Sequence, residues 1–325
     1  MALPLSVIDF ATVRTNQSLG ESFADSVTLA RHAEKLGYSR VWYAEHHNMP
    51  TIASSAPAVL IAHVAAHTER IRLGSGGVML PNHSPLTIAE QFGTLAELHP
   101  GRIDLGLGRA PGTDPRTLRA LRRSPEAAES FPQDVKELQG YLRDESIIPG
   151  VRAVPGAGTN VPLTILGSSL FGAQLAAAYG LPYAFASHFA PDALVDAVAA
   201  YRSQFQPSEQ LAEPYVIAAV NVIVSEDPQD AARQLEATQR GRVKAMVGRG
   251  REFTEEEMDM VMASPAASQV LHMLSYMGVG TPDTVVDYLH RFADHADADE
   301  LMVSPLSTRQ PDVLQSMELL ARAWS

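Results

Sequence analysis

Apolar residues come in short runs along this chain, and longer amphipathic stretches separate them. Leu5 to Phe10 predicts a first strand. Glu21 to Leu36 repeats apolar positions at helical spacing and meets Gly37, the residue type that most readily ends a helix. Arg40 to Ala44 predicts a second strand and Ser54 to Thr68 a second helix. Ile71 to Leu80 holds a third strand ahead of a helix from Pro85 to Leu98, and Ile103 to Leu107 is a fourth. Gln133 to Leu142 reads as helix, Leu163 to Leu166 as a fifth strand, and Phe171 to Tyr179 as a helix stopped by Gly180. Tyr183 to Ala186 is a sixth strand, followed by a helix from Pro191 to Phe205 with proline in its first turn. Tyr215 to Val224 is a seventh, followed by a helix from near Pro228 toward Met246. A helix from Pro282 to Phe292 precedes the eighth strand at Glu300 to Val303, and Pro311 to Trp324 is the closing helix.

Strand then helix, eight times over, predicts an α/β fold with a parallel sheet. In a chain of this length that is a (β/α)8 TIM barrel, expected as a single domain over 1–325. An open doubly wound sheet is the other arrangement, but GLGRAPG after the fourth strand lacks the G-x-G-x-x-G spacing of a dinucleotide turn. Two segments interrupt the alternation and read as inserted loops: Ala110 to Pro132 after the fourth strand and Gly248 to Gly280 after the seventh. The acidic run Glu252, Glu255, Glu256, Glu257 and Asp259 in the second reads as a solvated helix face.

Charge and composition narrow the function. The 25 basic and 37 acidic residues give a formal net charge of −12, which speaks against a nucleic-acid footprint or a polybasic membrane anchor. No uncharged apolar run reaches about 18 residues, and MALPLSVIDF lacks a basic-then-apolar leader, so a cytoplasmic protein is expected. Cysteine is absent, which removes disulfides, thiolate metal sites and cysteine nucleophiles. The three lysines, Lys35, Lys136 and Lys244, sit in helical segments, a poor placement for Schiff-base chemistry.

In such a barrel the chemistry gathers where strands end, and these ends are unusual. They carry Asp9, then Glu45-His46-His47-Asn48, Gly74-Ser75-Gly76-Gly77, Gly106-Leu107-Gly108-Arg109, Gly167-Ser168-Ser169, Ser187-His188, and Ser304. Neighbouring residues on extended chain point to opposite sides, so His46 and His47 do not both face one small substrate unless the backbone turns there; His46 or His47 is a candidate acid/base, or a buried histidine held by Glu45 or a backbone carbonyl. The H-E-x-x-H spacing of a metal site is absent, and no metal is expected. Gly76 and Gly77 fit either a bulge or a place where a flat ring lies on bare backbone. Arg109 suits a phosphate or a structural ion pair. Ser168 and Ser169, ahead of a helix, suit an anion or plain N-capping.

The strings VWYAEHHN, LGSGGVMLPNHSP, EQFGTLAELHPGRIDLGLGRAPGTD and PLTILGSSLFGAQLAAAYGLPYAFASHFAP resemble the luciferase-like monooxygenases, and among them the bacterial stand-alone flavin oxidoreductases. The resemblance runs from the first strand to about Ala190 and weakens through the eighth. It implies FMN, or in some branches the deazaflavin F420, at the strands' C-terminal end. It makes His46 the catalytic residue, sets Arg109, Ser168, Ser169 and Gly172 on the FMN phosphate, and places a non-prolyl cis peptide at Gly76–Gly77 against the ring. Tyr43, Met79 and His188 are further pocket candidates. The light-emitting members carry a carboxylate at Ser168 and a threonine at Gly172, and a reactive cysteine missing here, so a long-chain aldehyde substrate does not follow. The implied function is a homodimeric monooxygenase. It would take reduced FMN from a separate flavin reductase, and O2, to oxidise a small organic substrate, with no nucleic acid or membrane involved. An F420-dependent oxidoreductase and a non-catalytic flavin-binding protein are the rival readings.

Overall fold

A computed structural model describes residues 3–248 and 251–324 and holds nine parallel strands. They are β1 (Leu5–Asp9), β2 (Arg40–Tyr43), β3 (Arg72–Met79), β4 (Ile103–Gly108), β5 (Leu163–Gly167), β6 (Tyr183–Phe185), β7 (Val216–Val224), β8 (Met277–Gly280) and β9 (Glu300–Pro305). Each of β1 to β6 pairs with the next, β6 pairs with β7, β7 with β9, and β9 returns to β1. Eight strands therefore close a barrel, as the alternation predicts. The predicted eighth strand is β9 in chain order, because β8 comes before it and stays outside the ring. There it lies along the C-terminal half of β7, Asn221 to Val224.

The helices follow their local signals. Ser18 and Glu21 form a reciprocal capping box at the start of helix Leu19–Leu36, and Gly37 ends it with φ at 82°. Helix Pro85–Leu98 takes Ser84 as its N-cap. Some predicted boundaries shift, as at the helix from Pro282, which runs on to Ala296 rather than ending at Phe292. The second helix contracts to Pro57–Ala65, with proline in its first turn. The helix after β6 starts at Leu194, so Pro191 precedes it rather than lying in its first turn.

Both segments read as inserted loops carry structure of their own. In Ala110 to Pro132, Asp114 caps a helix at Pro115–Ala120, and a 3-10 turn follows at Pro125–Ala128. In Gly248 to Gly280, where 249 and 250 lie outside the described residues, Thr254 and Glu257 form a capping box for helix Glu255–Met262. Ser264 then caps helix Pro265–His272, and β8 follows. Glu255 and Asp259 of the acidic run face outward and pair with Arg240.

Strand residues pointing outward, such as Val41, Tyr43, Leu105 and Val220, pack beneath the helices in the main core. Those pointing inward, Ile8, Trp42, Ala184, Ile217, Ala219 and Met302, form a separate cluster inside the ring. Each fully buried large side chain contributes roughly 1.5–3 kcal/mol of transfer free energy. At the strands' N-terminal end the interior is closed by charge. The Arg40 guanidinium reaches Asp104 at 3.0 Å and Glu300 at 3.1 Å. Ser6 and the Tyr215 hydroxyl also donate to Glu300, and Arg72 pairs with Asp104. Toward the other end the inward residues shrink to glycine and alanine, so the interior is left open there.

Candidate active site

That opening is a cavity of about 410 Å³. Ile8, Trp42, Ile217 and Met302 make an apolar floor, with Gly76, Gly77, Ala184 and Ala219 as bare wall; Phe10, His46, Arg109, Phe171, His188 and Phe189 stand around the mouth. Ser168, Ser169 and Gly172 line the same space, so His46, Gly76, Gly77, Arg109, Ser168, Ser169 and Gly172 all face one cavity.

The Gly76–Gly77 peptide is cis, and the pairing of β3 with β4 shifts register between Ser75 and Val78. A Cβ on Gly76 would stand 3.0 Å from the Trp42 Cβ, and one on Gly77 would stand 2.8 Å from the Gly106 carbonyl oxygen. Part of the reason for glycine here is therefore the protein's own packing. The result is still a patch of naked backbone on the cavity wall.

Arg109 makes no ion pair among the described residues. Its guanidinium carbon lies 4.1 Å from the ring centroid of Phe171, an arrangement that holds the charge at the rim while leaving its N–H groups available. Ser169 is the N-cap residue of helix Leu170–Tyr179 by backbone geometry, yet its side chain makes no capping bond. The helix's first amides thus keep free donor capacity at their positive end.

Glu45 decides which of the adjacent histidines faces the cavity. This buried carboxylate accepts from His47 Nε2 and His83 Nε2, both at 2.8 Å on Oε1, and from the Met79 amide at 3.0 Å on Oε2. His47 is thereby turned away from the cavity and His46 turned into it. Burial pushes the Glu45 carboxyl up, but the bonds from His47 and His83 outweigh it and hold the group below its ordinary range. The His46 Nδ1 is buried without a partner, and burial lowers its pKa. Phe10 stands between His46 and His188, its ring centroid 5.9 Å from each.

Met79 and His188 line the cavity, but Tyr43 does not. It packs on the helix side of β2, where burial drives its hydroxyl pKa up; Trp42, one residue earlier, takes the inward position. Sequence reasoning also missed Phe10 and Phe171. The strand-end rule would have found Phe10, one residue past β1, had aromatics been sought as well as polar groups. His83, 38 positions from Glu45, carried no local signal.

Among the described residues no cluster of His, Asp and Glu is placed to hold a metal ion, and no helix is long and apolar enough to cross a membrane. Comparison with known proteins identifies the family and the fold. The luciferase-like monooxygenase family profile matches residues 3–298. A luciferase-like monooxygenase of Escherichia coli strain K12 is 47% identical over 320 residues, covering 98% of this chain and 96% of that one. The crystal structure of apo-MsnO8 superposes with a TM-score of 0.88 at 36% identity, covering 99% and 98% of the two chains. Two more distant structures share the fold alone. One is the oxygenating constituent of 3,6-diketocamphane monooxygenase from Pseudomonas putida in complex with FMN, with a TM-score of 0.72, 18% identity and coverage of 99% and 97%. The other is an F420-dependent secondary alcohol dehydrogenase, with a TM-score of 0.72, 17% identity and coverage of 99% and 98%.

Proposed function

The chain belongs to the luciferase-like monooxygenase family, and from that premise we propose that it is an FMN-dependent monooxygenase acting on a small organic substrate as a single barrel domain. The observation that carries this reading is the meeting, in one cavity, of bare backbone at Gly76–Gly77 with unspent anion donors at Arg109, Ser168 and Ser169.

The residues present suit FMN. The glycine wall lets a flat ring approach the main chain. Arg109 offers a planar fork to a phosphate, and the uncapped start of helix Leu170–Tyr179, beside two serine hydroxyls and Gly172, offers N–H groups and a favourable dipole. When bound, reduced FMN supplies the electrons that activate O2. The chain's own task is to orient and shelter that chemistry. The apolar floor keeps water from the ring, which protects reactive species from hydrolysis. His46, half-buried and facing the cavity, holds or passes a proton at its imidazole; burial lowers its pKa and so favours the neutral, proton-accepting form.

The test is direct. The purified protein is titrated with FMN and with F420 side by side, and O2 uptake is then followed with a flavin reductase regenerating FMNH2. FMN binding with O2 uptake that responds to organic substrate supports the reading. Preference for F420 turns it toward a dehydrogenase, O2 uptake with no substrate oxidised turns it toward a flavin-binding protein, and a colourless protein indifferent to both flavins overturns it. A partner reductase and a homodimer belong to the same proposal.

A further inference from the structure

The cavity wall holds one buried polar side chain that the proposed chemistry does not use. His188 follows β6, is 5% exposed and faces the cavity, yet among the described residues neither ring nitrogen has a hydrogen-bond partner. Its place is fixed from several sides. Asn221 donates to the His188 backbone carbonyl at 2.6 Å, and the Ser187 hydroxyl donates to the Ala219 carbonyl. The Phe189 ring meets the imidazole edge-on at 5.0 Å, and the Phe10 ring lies tilted against it at 5.9 Å. A buried polar group left unmatched is disfavoured. A ring held this firmly with both nitrogens open is therefore arranged for a hydrogen-bonding group that enters the cavity.

The surroundings define the kind of group. No Asp, Glu or Lys lines the cavity among the described residues, and its one formal charge is Arg109, which the flavin reading gives to the phosphate. Burial is the largest cause that pushes the His188 pKa down, to about 3. The imidazole is thus neutral at pH 7, with one N–H to donate and one bare nitrogen to accept. A neutral ring set between two phenyl rings does not offset the desolvation of an ionised ligand group, and no carboxylate is there to balance an ammonium. It does satisfy a carbonyl, a hydroxyl or an amide, each of which needs one donor or one acceptor.

We propose that His188 is the substrate-recognition residue of the cavity, and that the substrate is an uncharged, largely apolar molecule whose hydrogen-bonding oxygen or nitrogen is engaged by the His188 imidazole. The term substrate rests on the monooxygenase reading; the preference for a neutral hydrogen-bonding ligand does not. The floor of Ile8, Trp42, Ile217 and Met302 takes the hydrocarbon part. Phe10 stands between the two histidines, 5.9 Å from each, so the residue that recognises and the residue that handles the proton flank one ring.

The experiment uses four probes on one phenylethyl skeleton. Acetophenone and 1-phenylethanol are neutral and form hydrogen bonds, ethylbenzene forms none, and 1-phenylethylamine is an ammonium at pH 7. Calorimetry on the full-length protein, with and without saturating FMN, gives each affinity. The ketone and the alcohol are expected to bind more tightly than the ammonium. In His188→Leu, an apolar residue of similar size, both should lose about three- to tenfold relative to ethylbenzene, the net worth of one hydrogen bond. His188→Gln should keep part of that difference. Urea denaturation should find the empty His188→Leu protein at least as stable as wild type, because an unmatched polar group has been replaced; a histidine kept only for structure would give the reverse. The inference is overturned if affinities relative to ethylbenzene stay unchanged in His188→Leu, if the ammonium binds as tightly as the alcohol, or if no neutral probe binds. It is also overturned if the discrimination vanishes once FMN is bound, which would make the flavin the ligand of His188. The wild-type comparison with the ammonium stands by itself if a variant does not fold. FMN is titrated separately on the same samples. FMN binding without discrimination by His188 removes this inference alone, and discrimination without FMN binding removes the flavin reading alone.

Discussion

Arg109 and Phe171 are stacked, the guanidinium carbon 4.1 Å from the ring centroid, across the gap between the end of β4 and the helix that follows β5. The contact sets the direction of a charge that has no carboxylate to hold it. Arg109→Ala should therefore weaken FMN by about 10- to 100-fold, the loss of one charge-assisted contact. Phe171→Ala should weaken it less, by freeing the guanidinium rather than removing it. Equilibrium fluorescence titration reads both. An Arg109→Ala protein that binds FMN normally would remove Arg109 from the phosphate.

His46→Ala separates chemistry from binding. Acid/base assistance contributes roughly 10²–10⁴ in rate, so turnover should drop on that scale while FMN affinity stays within a few-fold. Steady-state O2 uptake beside a binding titration tests this, and equal loss of both would count against the assigned role.

Glu45→Ala leaves two imidazoles and the Met79 amide facing a void. Breaking a buried polar cluster from one side destabilises by about 3–5 kcal/mol. Glu45→Gln, which keeps an acceptor oxygen, should lose less. Urea denaturation of the three proteins gives the order; an alanine variant as stable as wild type would contradict the hub.

Gly77→Ala puts a Cβ 2.8 Å from the Gly106 carbonyl oxygen and 3.1 Å from Leu166. Strain of this kind typically destabilises by about 1–3 kcal/mol, and the added methyl disturbs the cavity wall. Lower stability and weaker FMN binding are expected together, read by denaturation and titration.

Acid should weaken the fold through His188. Its folded pKa, about 3, lies below the ordinary histidine value of 6.5, so between those values the unfolded chain binds a proton that the folded chain refuses. Stability from this group is complete above pH 6.5 and declines as pH falls toward 3, by up to about 1.4 kcal/mol per pH unit. His46, whose pKa its partial burial also lowers, acts in the same direction. His188→Gln should flatten the curve between pH 6 and pH 4, roughly the span over which this linkage acts. An unchanged slope in the variant would show that the ring is not buried neutral.

The barrel was legible because parallel strands and their helices leave strong, local marks: apolar runs, Ser caps, glycine stops. The strand-end rule then brought His46, Gly76, Gly77, Arg109 and Ser168 to one place without any coordinates. What escaped has physical reasons. β8 is four residues, Met-Gly-Val-Gly, too short and glycine-rich to announce a strand. Strands of a parallel barrel are apolar on both faces, so nothing in the run Val41-Trp42-Tyr43 tells which side chain points inward, and Trp42 rather than Tyr43 does. The Glu45–His83 bond depends on two loops meeting.

The charge cluster of Arg40, Asp104 and Glu300 at the base of the ring has an effect on traffic. It makes the barrel a cup with one doorway. A molecule seated deep on Trp42 and Met302 must leave past whatever occupies the rim, so the guest that enters last is the first able to depart.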